Sequence, residues 1–163
     1  MESADAGNAA EALTLPPSPF PLPAQQGTVL AFDFGTKRIG VAVGETLLGR
    51  AKALTTIALE ANAARFAAID KLIAEWQPIR LVVGLPLSAD GEPHEMTARA
   101  ERFCRQLEAR YPLPVTPVDE RFSSTEAEAR LAERGLNWKQ RKETLDAEAA
   151  ATILQGFFDA HAQ

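Results

Sequence analysis

An apolar strand that carries one acid constrains the fold of this chain more than any other feature. Residues 28–44 read TVLAFDFGTKRIGVAVG, in which an apolar run reaches Asp33, passes through a Gly-Thr-Lys-Arg turn and returns as a second apolar run. So short a connection favours antiparallel pairing, because a parallel return needs a crossover of about a dozen residues or more. A carboxylate inside an apolar strand is costly unless a cation or a metal ion compensates its charge. Asp33 is therefore the first candidate functional residue.

The order of the predicted elements indicates an α/β fold. In chain order they are strands at 29–34, 39–44 and 51–57, a helix at 62–76, a strand at 79–83, a helix at 95–110, a strand at 115–118, a helix at 123–133, a basic loop at 137–142 and a helix at 146–161. The strands and helices follow from apolar periodicity, and the helix at 123–133 from a capping-box pattern. Three strands followed by alternating helices and strands predict a mixed sheet with helices on its faces.

Composition narrows the class of protein. The chain has 163 residues, which suits one domain. Its net charge of −5 argues against a protein that coats nucleic acid, but it allows an enzyme that grips a few phosphates locally. No apolar run approaches the ~20 residues of a membrane helix. The single cysteine, Cys104, fits a reducing cytoplasm and reads as a packed residue, so we expect a cytoplasmic protein.

The first 26 residues differ from the rest of the chain. They contain five prolines, and no Lys or Arg precedes Lys37. This composition matches neither a secretory signal nor a transit peptide. We expect residues 1–26 to form a disordered Pro/Ala-rich extension and residues 27–163 to form one folded domain.

Three acids are candidate catalytic residues. Asp33 lies in the first strand, Glu120 follows the fifth strand with Asp119 beside it, and Asp146 opens the last predicted helix. Asp146 shares a helical face with the apolar residues Ala149, Ala150 and Ile153. Each acid also has an ordinary structural interpretation. These are an ion pair of Asp33 with Lys37 or Arg38, an ion pair of Glu120 with Arg121 or a solvated strand end, and a favourable helix N-terminal position for Asp146.

If the three acids converge, their mutual repulsion requires cations. Oxygen ligands suit Mg²⁺, which typically binds through a few carboxylates plus substrate phosphates. Two such ions, ~3.5–4 Å apart, can activate water and stabilise the leaving oxygen of a phosphodiester. Whether Asp119 shares such a site with Glu120 stays open.

Basic and hydroxyl residues near the acids are candidate phosphate contacts. They are Lys37, Arg38, Arg121, Ser123, Ser124, Lys139, Arg141 and Lys142. The helix start after Ser123 offers free backbone N–H groups, which bind phosphate readily. Trp138 lies beside the last three cations, and charge combined with an aromatic side chain suits nucleic acid. A solvated charged loop with a packed Trp is the alternative interpretation of residues 137–142.

These motifs together resemble the YqgF/RuvX group of RNase H-like proteins. The matching segments are DFGTKRIGVA at 33–42, VVGLP at 82–86, DERFSS at 119–124, and Asp146 followed by Ala149, Ala150, Ile153 and Leu154. The resemblance implies an RNase H-like α/β fold, a five-stranded mixed sheet in the order 3-2-1-4-5 flanked by helices. It places Asp33, Glu120 and Asp146 at the family's acidic positions, where they would bind Mg²⁺ or Mn²⁺.

The same resemblance implies an endonuclease acting on structured RNA or branched DNA. Maturation of the pre-16S rRNA 5′ end is favoured, and Holliday junction resolution is the alternative. Two other classes stay open: a single-domain relative of the actin and sugar-kinase nucleotide binders, suggested by Asp-x-Gly-Thr after a strand, and a non-catalytic module in ribosome assembly or transcription. The sequence does not decide between a monomer and a homodimer, and only symmetric junction cleavage would favour the dimer.

Overall fold

A computed structural model of the protein describes residues 26–86, 94–119 and 138–161, with the side chains of residues 138–143 excepted. The strands are β1 (Thr28–Phe34), β2 (Ile39–Glu45), β3 (Arg50–Ile57), β4 (Arg80–Leu85) and β5 (Val115–Asp119), and the helices are α1 (Asn62–Trp76), α2 (Glu95–Arg110) and α3 (Trp138–Ala160). The predicted helix at 123–133 and all but the last residue of the predicted N-terminal extension lie outside the described residues. Among the described helices, none combines the length and the apolar character needed to cross a membrane.

The strands form one mixed sheet in the order β3-β2-β1-β4-β5, which confirms the predicted α/β architecture. The first three strands are an antiparallel meander, whereas β1, β4 and β5 run parallel to one another. The ends of these three parallel strands therefore meet along one margin, which we call the carboxyl edge. Ligands of open α/β sheets usually bind outside this edge.

Side chains alternate between two cores, one on each face of the sheet. Leu30 and Phe32 of β1 pack with residues of α1 and α2, whereas Val29 and Ala31 pack with residues of α3. We call these the α1–α2 face and the α3 face. In α2, Ala100, Phe103 and Leu107 are buried and Cys104 is partly buried.

Two glycines of β2 let α3 lie directly on the sheet. A methyl group at Gly40 would lie 1.8 Å from the carbonyl oxygen of Asp146, and one at Gly44 would lie 2.7 Å from the Phe158 ring. Any larger residue would hold the helix away from the strand. Glycine within a strand often marks this kind of close approach.

The predicted basic loop at 137–142 is wrong from Trp138 onward, because α3 already begins at that residue. The segment from Trp138 to Leu145 is WKQRKETL, which contains neither Gly nor Pro and is rich in good helix formers. Asp146 consequently lies more than two turns inside α3 and does not open it. The interpretation of Asp146 as a helix N-terminal acid is therefore also wrong, because the helix dipole acts mainly on the first turn.

Candidate active site at the carboxyl edge

Asp33 is the next-to-last residue of β1 and lies at the carboxyl edge. Strand alternation places it on the α3 face, two residues after buried Ala31. Its direct partner in the antiparallel ladder is Gly40 of β2. Directly opposite residues of such a pair present their side chains on the same face, with Cβ atoms about 4.5–5.5 Å apart. The half-buried Asp33 carboxylate thus lies beside the space above Gly40.

Asp146 occupies that space. Its carbonyl oxygen and carbon would lie 1.8 and 2.1 Å from a methyl group at Gly40. The apolar neighbours predicted for Asp146, including Ala150 and Ile153, are buried against the sheet and anchor this part of α3. The fold thus brings Asp33 and Asp146, which are far apart in sequence, to the same face and the same level of the sheet.

A basic side chain already contacts one of the two acids. Arg38 donates a hydrogen bond from Nε to Oδ2 of Asp146 at 2.6 Å. The side chains are 40% and 22% exposed, so solvent screens the pair, and its contribution to stability is about 1 kcal/mol or less. The Asp146 carboxylate therefore already has a positively charged partner, the Arg38 guanidinium. Sequence reasoning considered Arg38 as a partner of Asp33 or of phosphate and missed this contact with α3.

The turn between β1 and β2 holds Asp33 and Arg38 close together. A methyl group at Gly35 would lie 2.5 Å from the carbonyl oxygen of Arg38, so the turn is closed tightly on itself. Lys37, which directly precedes Arg38 in this turn, is exposed. On the other side of the turn, Arg65 of α1 donates from Nη2 to the carbonyl oxygen of Gly35 at 2.7 Å.

Arg65 was missed by the sequence analysis, although a signal for it exists. It lies four residues before buried Ile69 and directly before buried Phe66, so it falls within the apolar stripe of α1. An arginine at such a position must find buried acceptors. Burial lowers the pKa of the Arg65 guanidinium below its usual value, against the opposing effect of the Glu60 charge.

The third predicted acid lies outside the described residues. Glu120 follows Asp119, the last residue of β5, and Arg121, Ser123 and Ser124 also lie outside. Lys139, Arg141 and Lys142 belong to the first turns of α3, and their side chains are not described. In the described part of the chain, no three acidic, histidine or cysteine side chains form a group that could hold a metal ion.

Asp119 lies on the other face of the sheet from the two acids. Val118 packs toward the α3 face, so alternation along β5 directs its exposed neighbour Asp119 to the α1–α2 face, away from Asp33 and Asp146.

Burial and the charges of Glu108 and Glu101 raise the pKa of the Cys104 thiol to about 11. A thiol with so high a pKa is a poor nucleophile, which agrees with the packing role predicted for it.

Comparison with known proteins identifies the family. The family model described as "RuvX: Holliday junction resolvase" matches residues 27–160. The chain belongs to the RuvX family. The resemblance drawn from the four sequence motifs is thereby confirmed. The matched span contains Asp33 and Asp146 as well as the undescribed Glu120.

Curated relatives of this RuvX-family chain match more than four fifths of its length. A protein of Dechloromonas aromatica (strain RCB) is 62% identical over 133 residues, which are 82% of this chain and 91% of the relative. A protein of Burkholderia vietnamiensis (strain G4 / LMG 22486) is 54% identical over 136 residues, covering 83% and 91% respectively. Both bear the name "Putative pre-16S rRNA nuclease".

A solved structure shares the fold. Thermus thermophilus RuvC, solved in complex with a Holliday junction substrate, superposes with a TM-score of 0.51 over 83% of this chain and 95% of RuvC. The sequence identity is 16%, so the likeness concerns the fold alone. It agrees with the RNase H-like sheet order described above.

Proposed function

We propose that this RuvX-family protein is a metal-dependent endonuclease that hydrolyses phosphodiesters of structured nucleic acid. The observation that carries the proposal is the close approach of Asp146 to Gly40, the ladder partner of Asp33. It brings two carboxylates to the edge at which α/β sheets usually bind their ligands. Curated relatives that share more than half of the aligned residues bear the name of a nuclease.

The residues at this edge fit a hard divalent cation. Asp33 and Asp146 supply oxygen ligands, and Asp146 already takes the positive charge of Arg38. We assign Glu120 as the third ligand, because it directly follows β5, whose end lies beside the end of β4 at the same edge. Mg²⁺ or Mn²⁺ bound there, as one ion or two, would supply water activation and charge stabilisation during phosphodiester hydrolysis.

The chain's own residues would hold the cations and bind the substrate phosphates. The three acids would hold the cations, and the backbone contact at Gly40 fixes the distance between β2 and α3. Lys37 and Arg38 lie on the turn beside Asp33, where they would bind the phosphates that flank the cleaved bond. Lys139, Arg141 and Lys142 would extend this contact along the backbone of the nucleic acid.

Pre-16S rRNA is the proposed substrate, because the relatives at 54–62% identity carry that name. The family model instead carries the description of a Holliday junction resolvase, which makes junction DNA the second candidate. Equal amounts of a pre-16S rRNA 5′ fragment and a four-way DNA junction, each offered separately and in competition, would decide between them. Faster cleavage of the junction would overturn the choice of rRNA without overturning the nuclease.

The mechanism is tested with Asp33→Asn, in which the amide keeps the shape of the carboxylate but loses its charge. We expect this variant to bind Mn²⁺ weakly and to lose cleavage by at least about 100-fold, as removal of a key electrostatic group does in other enzymes. The matched control is Asp159→Asn on the exposed end of α3, whose partner is Gln155. Cleavage by Asp33→Asn at the parent rate would show that the proposed mechanism is wrong.

A further inference from the structure

Arg65 is a buried cation that donates hydrogen bonds to backbone carbonyl oxygens. Arg65 is only 4% exposed, and it is one of two buried polar or charged residues in the described part of the chain. Its guanidinium donates to the carbonyl oxygens of Leu59 at 2.5 Å and of Gly35 at 2.7 Å. It also lies 5.5 Å from the centre of the Phe34 ring. Taking a charge out of water is costly, so a site that buries one needs well-placed acceptors.

The Gly35 carbonyl belongs to the turn that joins Asp33 to Arg38. This turn is held from both faces of the sheet. On the α3 face, Arg38 is paired with Asp146. On the α1–α2 face, Arg65 bonds Gly35 and covers the ring of Phe34, the residue that directly follows Asp33. Two arginines thus hold the Gly35–Arg38 turn from opposite faces of the sheet.

We propose that Arg65 is a positioning residue of the active site, which holds the Gly35–Arg38 turn so that Asp33 and Arg38 keep their places at the carboxyl edge. This inference rests on the proposed function. It predicts that loss of the Arg65 guanidinium weakens metal binding at the carboxyl edge, through the turn whose Gly35 carbonyl oxygen Arg65 bonds. Supporting groups behind metal ligands typically change metal affinity by about 10- to 100-fold when removed.

The competing interpretation is that Arg65 only attaches α1 to the sheet. In that case its loss would lower stability everywhere and leave the metal site unchanged. Arg110 offers a matched control, because it lies 5.1 Å from the Phe66 ring and bonds Asp70 of α1, yet it is remote from the Gly35 turn. Arg110→Met removes a guanidinium that also attaches α2 to α1, although this side chain is 47% exposed.

The test compares the full-length parent with Arg65→Met, Arg65→Lys and Arg110→Met. Mn²⁺ affinity is measured by calorimetry, and hydrogen–deuterium exchange of the peptide spanning Gly35 is followed by mass spectrometry. We expect Arg65→Met to bind Mn²⁺ about 10- to 100-fold more weakly and to exchange faster at the turn. Arg65→Lys should recover part of both, because lysine keeps the charge without the two-nitrogen fork. Arg110→Met should match the parent in both measurements.

Parent-like Mn²⁺ affinity and turn exchange in a folded Arg65→Met would overturn the inference. If that variant does not fold, the same result in Arg65→Lys would overturn it. Failure of the parent to bind Mn²⁺ or to cleave nucleic acid would instead contradict the proposed function. In that case, faster exchange confined to the turn would still show that Arg65 positions it.

Discussion

Replacement of Gly40 by alanine tests the geometry on which the site depends. The new methyl group would lie 1.8 Å from the Asp146 carbonyl oxygen and 2.8 Å from the Ala147 nitrogen, whereas Cβ contacts under 3.0 Å essentially never occur. The obstacle is helix backbone, which cannot rotate aside as a side chain can. The α3 backbone must therefore retreat by about 1.2 Å from β2 at this point.

The cost of that retreat can be estimated for stability and for activity. Overpacking of a core typically costs about 1–3 kcal/mol, and a rigid backbone obstacle places Gly40→Ala near the upper end. For a chain of this size, about 3 kcal/mol corresponds to a fall in Tm of roughly 6–12 °C. Because the retreat displaces Asp146 itself, cleavage should fall by about 100-fold, the usual effect of a 1 Å misplacement. Thermal unfolding by circular dichroism and a fluorescent cleavage assay measure the two effects.

Gly156→Ala is the matched control for this prediction. Gly156 lies in α3, and a methyl group there would meet nothing within 4 Å. Alanine in an exposed helix interior is about 1 kcal/mol more favourable than glycine, so this variant should be slightly more stable and fully active. If Gly40→Ala instead retained both the Tm and the cleavage rate of the parent, the close approach of Asp146 to β2, and with it the two-acid site, would be refuted.

Two further predictions concern charged side chains. Arg38→Gln should leave the Tm nearly unchanged, because its pair with Asp146 is partly exposed, but should raise the KM for RNA severalfold; a parent-like KM would remove Arg38 from the phosphate contacts. Hydrogen bonds from Arg110 and Tyr111 lower the pKa of the Asp70 carboxyl to about 2 from 3.8. A lowered pKa stabilises the fold above the unfolded value, so this contribution should disappear as the pH falls from about 4 to about 2. Parallel Tm–pH curves for the parent and Asp70→Asn over that range would contradict it.

Local patterns were enough to predict most of the sheet and two of the helices. The strands at 29–34 and 39–44 alternate between two cores as their apolar runs indicate, and the periodicity at 62–76 defines α1 to the residue. The start of α3 was not predicted, because the cluster of Lys and Arg was interpreted as a loop. The good helix formers of the same segment, which contains neither Gly nor Pro, were the local signal for a helix.

In the candidate site, too, local patterns indicate some residues but not the contact between Arg38 and Asp146. Asp33 could be found from the sequence because an acid in an apolar strand contradicts its local environment, and Asp146 because it interrupts the apolar stripe of a helix. Gly40 and Gly44 also carried a local signal, since two glycines on the same face of a strand indicate that another part of the chain passes close by. The contact of Arg38 with Asp146 joins residues 108 positions apart, and no local pattern contains it.

Arg65 resembles Asp33, because each is a charged residue in an otherwise apolar pattern. An arginine within the apolar stripe of α1 is unfavourable for local packing, as Asp33 is within β1. Both residues lie close to the same short turn, Gly35–Arg38. Asp33 lies two residues before that turn, at the edge where substrate would bind, and Arg65 bonds the Gly35 carbonyl oxygen from the opposite face of the sheet. Under the proposed function, the residues least suited to their own helix or strand are those that hold the site together. Their identities can be found in the sequence, whereas the turn that unites them becomes visible only in the fold.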